Sequence, residues 1–70
     1  MLDETLFVEA RLFRLFRDRM NLSAKEANRI FESYGIWLFI ENCHDSLHLE
    51  SNDAAFEEIK TKLTREGATA

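Results

Sequence analysis

Apolar residues recur at helical spacing through most of this chain, and they are densest in residues 1–20. Leu2, Leu6, Ala10, Phe13, Phe16 and Met20 follow one another at intervals of three and four, the signature of an amphipathic helix. Val8, Leu12 and Leu15 add a second stripe beside the first. On a helical wheel the two stripes cover roughly 220° of arc, well beyond the ~100° that a surface helix turns toward its own core. The expectation is that the first stripe is core and that the second, surplus to a small domain, faces a partner.

The rest of the chain divides at clear punctuation. Asp3 is a candidate N-cap for the first helix, with Leu2 and Phe7 as a hydrophobic staple, and the helix should run to about Met20. Asn21 and Leu22 make a short break. Ser23-Ala-Lys-Glu26 is a capping box that opens a second helix, whose apolar face is Ala24, Ala27, Ile30, Phe31 and Tyr34. Gly35 supplies the left-handed residue that commonly ends a helix. Ile36-Trp-Leu-Phe-Ile40 reads as a buried strand or as helix; Ile36, Ile40, Cys43 and Leu47 keep helical spacing, which favours helix. That helix is expected to fray near Cys43 to Ser46, and Leu47 to Leu49 read as either extended chain or further helix. Ser51, Asn52 and Asp53 are successive N-cap candidates for a last helix bearing Ala55, Phe56, Ile59 and Leu63 on one face, ended by Gly67 and followed by a loose tail over residues 68–70. The expected fold is all-α, a compact bundle of about four short helices in a single domain.

Composition and charge sharpen this picture. With 70 residues and one cysteine, the chain has a thin core and no internal disulfide to support it. Domains of that kind often gain stability from a partner or a second copy. The net charge of −4 argues against nonspecific binding to phosphate backbones, so no nucleic-acid partner is expected. Arg11, Arg14, Arg17 and Arg19 are nevertheless concentrated on the first helix, either as a solvated flank with local ion pairs or as a patch that meets an acidic protein surface. No apolar run approaches the ~20 residues that cross a bilayer, and no targeting signal is evident, so a cytoplasmic location without membrane attachment is expected.

Candidate chemistry is sparse. Cys43-His44-Asp45 has the residue types of a nucleophilic triad, but consecutive helical side chains diverge, and a buried, inert thiol is the better reading of Cys43. Glu41, His44 and His48 fall at i, i+3 and i+7, so a continuous helix would align them as possible ligands for a divalent metal; the alternative is a pair of ordinary surface histidines. The second and third helices superficially form a helix-turn-helix, yet the second of them offers apolar groups and Glu41 where base edges need polar and basic ones. Trp37 either completes the core or anchors an interface. No catalytic residue and no cofactor is assigned.

Residues 22–48 carry an ordered set of motifs: Leu22-Ser23-x-x-Glu26-Ala27, Phe31-x-x-Tyr34-Gly35-Ile36, Phe39-Ile40 and Asp45-x-Leu47-His48. The set resembles a family of small uncharacterised bacterial proteins with a pattern like LSxxE…FxxYG(I/V)…Y(D)xLH. Tyr34, Gly35, Asp45, Leu47 and His48 are the family-marking positions, and His44 stands where the family usually has a tyrosine. The resemblance implies a short helical domain often encoded beside an ADP-ribosyltransferase-like protein, in an arrangement similar to a toxin–antitoxin pair.

These readings lead to a non-enzymatic protein-interaction module, the antitoxin-like or accessory partner of a toxin enzyme. Its expected contact residues are Phe7, Val8, Leu12, Leu15, Arg11, Arg19 and Trp37. The alternatives are a self-assembling homodimer closed by the same stripe, and a small metal-binding protein built on Glu41, His44 and His48.

Overall fold

The computed structural model describes residues 4–67, and they form four helices: α1 (Glu4–Met20), α2 (Ala24–Ser33), α3 (Ile36–Leu49) and α4 (Asn52–Arg65). The proposed Asp3 cap, the Leu2 staple and the tail over residues 68–70 lie outside the described residues.

Local chemistry explains where each helix stops and starts. Asn21 takes a positive φ of 55° and closes α1, and the Leu22 amide bonds back to the Arg17 carbonyl. Both halves of the Ser23–Glu26 capping box form: the Glu26 amide donates to Ser23 Oγ and the Ser23 amide to Glu26 Oε1, each at 3.1 Å. Those bonds also hold the Glu26 carboxyl below its ordinary pKa, since they favour its charged form. Gly35 sits at φ 67° between α2 and α3, and this left-handed geometry lets α3 begin one residue after the turn. Ser51 is the cap that α4 selects from its three candidates, accepting from the Ala54 amide at 3.1 Å.

α3 departs from the sequence-based expectation. It does not fray at Cys43 to Ser46, and Leu47 to Leu49 are not extended; the helix runs unbroken to Leu49 and the chain extends only at Glu50 (φ −87°, ψ 154°). The reason lies in the core. Ile36, Ile40 and Leu47 are all fully buried, and only a continuous helix keeps positions i, i+4 and i+11 on one face.

α1 and α3 form the central pair. Each touches every other helix, whereas α2 and α4 flank them and do not touch each other. α1 runs antiparallel to α3, because Glu4 lies beside His44 and Asp45 while Phe13 lies against Trp37. The core is one cluster: Val8, Leu12, Phe16, Ala27, Phe31, Ile36, Ile40, Leu47, Ala55, Phe56 and Ile59. Its aromatic end is dense. Phe13 stacks on Trp37 at 5.2 Å and meets Phe31 edge-on at 5.4 Å, and Phe16 bridges Phe31 to Phe56. Edge-on and offset contacts of this kind add about 0.5–1.5 kcal/mol each beyond burial.

The expected assignment of stripes on α1 is corrected here. Val8 and Leu12, taken as partner-facing, are 2% and 0% exposed and lie at the centre of the core, with Leu15 half-buried against it. Leu6 and Ala10, taken as core, are exposed, and so is Met20. The inference of a surplus treated α1 as a surface helix with one covered side. In the fold it is a central helix covered by three neighbours, so a much wider arc is dry.

Candidate functional site

With Val8 and Leu12 inside, the large apolar residues left in solvent among the described residues are Leu6, Phe7 and Met20 on α1 and Leu38 and Leu49 on α3, and the first two lie together near the start of α1. Leu6 is 63% exposed and Phe7 62%, although both are large and apolar. Leu6 lies about 120° and Phe7 about 140° from Leu12 around the helix, on opposite flanks of the outer face. Ala10, three residues after Phe7 and four after Leu6, fills the arc between them and is also exposed. One turn further on, exposed Arg14 continues the same face. Arg17 follows, its guanidinium 6.0 Å from the Phe13 ring. The outer side of α1 is therefore apolar in its first half and charged in its second, where exposed Asp18 accompanies Arg14 and Arg17.

The two arginines expected at a partner surface are engaged within the chain. Arg11 reaches the α3–α4 junction, where Nη2 donates to the Glu50 carbonyl at 2.9 Å, Nη1 to the Leu47 carbonyl at 3.5 Å and Nε to Asn52 Oδ1 at 3.1 Å. These carbonyls are among those a helix end leaves without intrahelical partners, and a cation suits that end of the dipole. Arg19 pairs with Asp53 at 2.6 Å and lies 5.1 Å from the Phe56 ring. Trp37 is likewise committed to the fold: it is half-buried between Phe13 and Phe31, and its Nε1 donates to Asn28 Oδ1 at 3.1 Å. Of the expected contact residues, Phe7 is the large apolar side chain that stands in solvent.

The titratable residues of α3 separate onto two sides. Cys43 lines a shallow groove between α3 and α4 with Phe39, Ser46, Glu58, Lys62 and Arg65. It is half-buried, not the fully enclosed thiol expected. His44 points elsewhere. Its Nδ1 lies 3.0 Å from the Glu41 carbonyl and its Nε2 3.2 Å from Asp45 Oδ1. Cys43 and His44 thus diverge, as consecutive helical side chains do. The metal set Glu41, His44, His48 is also revised. Among the described residues, the group whose ligand atoms lie within 4.8 Å of one another is Glu4, His44 and Asp45, which joins α3 to the first residue of α1. Sequence spacing on a single helix had no means of finding Glu4, because the contact depends on how α1 crosses α3.

The motif positions sort into structural and surface roles. Gly35 makes the left-handed turn, Tyr34 caps α2 and packs on the core, and Leu47 is in the core. Asp45 and His48 are exposed on α3. The sequence of this four-helix domain is matched by a family model. The model, described as "Protein of unknown function (DUF3791)", covers residues 10–65. The chain belongs to this family. The DUF3791 span contains the whole buried core except Val8, so the match and the fold describe the same unit. Leu6, Phe7 and Glu4 precede it. No curated protein and no solved structure matches the chain. No helix among the described residues is long and apolar enough to cross a membrane.

Proposed function

We propose that this chain is a non-enzymatic protein-interaction module that docks through Leu6, Phe7 and Ala10 on the outer face of α1. Its partner is a protein with an apolar groove rimmed by acidic side chains. The observation that carries this reading is the exposure of Leu6 and Phe7 (63% and 62%) on a helix whose core stripe lies elsewhere. Burying two such side chains in a partner is worth ~1.5–3 kcal/mol each. The acidic rim follows from exposed Arg14, which continues the patch and steers the encounter. The class of partner comes from the resemblance: an ADP-ribosyltransferase-like enzyme encoded beside the chain, which this domain would neutralise by covering part of its surface, as an antitoxin does. Recognition would follow the helix-in-groove mode, with α1 as the inserted element.

The test is titration of the enzyme encoded next to this chain with the parent protein and with a Leu6→Asp/Phe7→Asp variant. Parent binding, and a loss of at least about thirtyfold in the variant with its thermal transition unchanged, is the expected result. Equal binding by both proteins, or none by the parent, would overturn it. Sedimentation of the free chain addresses self-assembly: a tight homodimer dissolved by the same two substitutions reassigns the face to a second copy.

A further inference from the structure

The groove between α3 and α4 has Phe39, Cys43 and Ser46 on one wall and Glu58, Thr61 and Arg65 on the other. Two large apolar side chains stand at its outer margin. Leu49 lies about 60° and Leu38 about 80° around α3 from Ser46, both on the side turned away from buried Ile40 and Leu47. They are 84% and 60% exposed. In a domain with so thin a core, such a margin is surface that association can dry.

The charges of the α4 wall define what fits against it. Glu58, Thr61 and Arg65 follow at i, i+3 and i+7, so they form one row along the helix, and all three are exposed. The row is acidic at one end and basic at the other. Neither charge is met by an opposite one within the chain. Arg65 makes no hydrogen bond or ion pair among the described residues, whereas neighbouring Lys62 is held by Glu66 at 2.6 Å. Glu58 meets Glu50, a like charge, and one Glu50 oxygen is enclosed without a hydrogen-bond partner. Desolvation and this neighbour push the Glu58 carboxyl above its ordinary pKa, and a cation brought from outside would favour its charged form. A row that lacks a cation at one end and an anion at the other is complementary to itself turned end for end. Under a two-fold axis near Thr61, Glu58 of each copy comes opposite Arg65 of the other, the reciprocal pattern of an isologous contact.

We infer that the α3–α4 groove is the interface of a two-fold homodimer, in which the α4 helices of two copies lie antiparallel and Glu58 pairs with Arg65 twice across the axis. The Leu38–Leu49 margin and Phe39 supply apolar burial. The two pairs set the register, since exposed ion pairs add little stability by themselves. The association is weak, with a Kd on the order of 10–100 µM, so the dilute chain is a monomer. Leu6 and Phe7 take no part, and the interface does not rest on the docking proposed for α1.

Sedimentation equilibrium at low ionic strength, from about 1 µM to 1 mM chain, tests this with Arg65→Glu and Glu58→Arg. Both residues are exposed, so each variant should keep the parent's helical content by circular dichroism. The parent should dimerise as concentration rises. Each variant alone brings like charges together at both pairs and should dimerise at least about tenfold more weakly. In an equimolar mixture of the two variants, every pair across the axis again joins opposite charges, and dimerisation should return to the parent's level. The Leu6→Asp/Phe7→Asp variant should dimerise as the parent does. A parent that stays monomeric to about 1 mM overturns the interface, as does a dimer that tolerates both reversals or a mixture that remains monomeric. A dimer dissolved by Leu6→Asp/Phe7→Asp overturns it in favour of α1. Failure here is separate from failure of the enzyme titration, which asks nothing of Glu58 or Arg65.

Discussion

The two sides of α1 are built from the same residue types and do opposite things. Val8, Leu12 and Phe16 on the inner side are 2%, 0% and 1% exposed; Leu6 and Phe7 on the outer side, within the same two turns as Val8, are each more than 60% exposed. Hydrophobicity alone does not distinguish a Leu at position 6 from a Leu at position 12. The difference is angular position relative to the three helices that close over α1. The inner residues stabilise the fold, so substitutions there act on folding. The outer residues contribute little to the isolated domain, so substitutions there should act on association alone.

Leu12→Ala tests that contrast most severely. Leu12 is fully buried at the centre of the α1 face, and truncating such a residue costs about 2–5 kcal/mol through lost burial and the cavity left behind. In a domain this small that is a large part of the total stability. Urea unfolding should show the loss as a shift in midpoint with little change in slope. Phe7→Asp, in the same assay, should fall within about 0.5 kcal/mol of the parent. If the two substitutions cost the same, the division of α1 into a structural and a free side is wrong.

Arg11 sits on the boundary between the sides and should show an intermediate effect. Its guanidinium holds the Glu50 and Leu47 carbonyls and Asn52, the groups around which the chain turns from α3 into α4. Arg11→Ala should cost about 1–2 kcal/mol, since those carbonyls lose a charged donor but the site is partly wet and water replaces some of the bonds. Arg14→Ala, one turn on and exposed, should leave unfolding unchanged. A reversed order, with Arg14 the more costly, would mean that the charged half of α1 is structural and Arg11 is free.

How much of this was legible in the sequence follows from which interactions are local. The capping box at Ser23 and the left-handed Gly35 depend on residues within a few positions of one another and form as their spacing predicts, and the cap of α4 is one of the three adjacent candidates, Ser51. The helical reading of Ile36 to Ile40 rested on a period that persisted to Leu47, and that period proved to be continuous helix beyond the point where fraying was expected. What the sequence hid was tertiary. The polarity of the α1 stripes depends on which arc three other helices cover. The engagement of Arg11 with residues 36 to 41 positions away, and of Glu4 with His44, depends on the antiparallel crossing of α1 and α3. One signal was available. Val8, Leu12 and Phe16 form an unbroken i, i+4, i+8 row without a polar member, whereas the row through Leu6 and Ala10 next meets Arg14.

The smallest effect should come from Glu58 on α4, which lines the groove between α3 and α4. Burial and a hydrogen bond to Glu50 push the Glu58 carboxyl above its ordinary pKa, and one Glu50 oxygen is enclosed without a hydrogen-bond partner. A raised folded-state pKa contributes stability that is full below the unfolded value near 4.5 and is lost as pH rises through the folded value. The pair is therefore a mild liability at neutral pH. Glu58→Gln keeps the shape, removes the like charge and leaves a permanent donor for Glu50. It should stabilise the domain at pH 7 by about a few tenths of a kcal/mol, a figure kept small because the group is largely solvated, and the advantage should vanish below about pH 4. Glu26 works in the opposite sense, its lowered pKa favouring the fold above the unfolded value and ceasing to do so in acid. Because parent and variant share Glu26, its effect cancels in their difference across a series of unfolding curves. An advantage for Glu58→Gln that grows toward low pH would show that the Glu50–Glu58 contact is not a repulsive pair relieved by a proton.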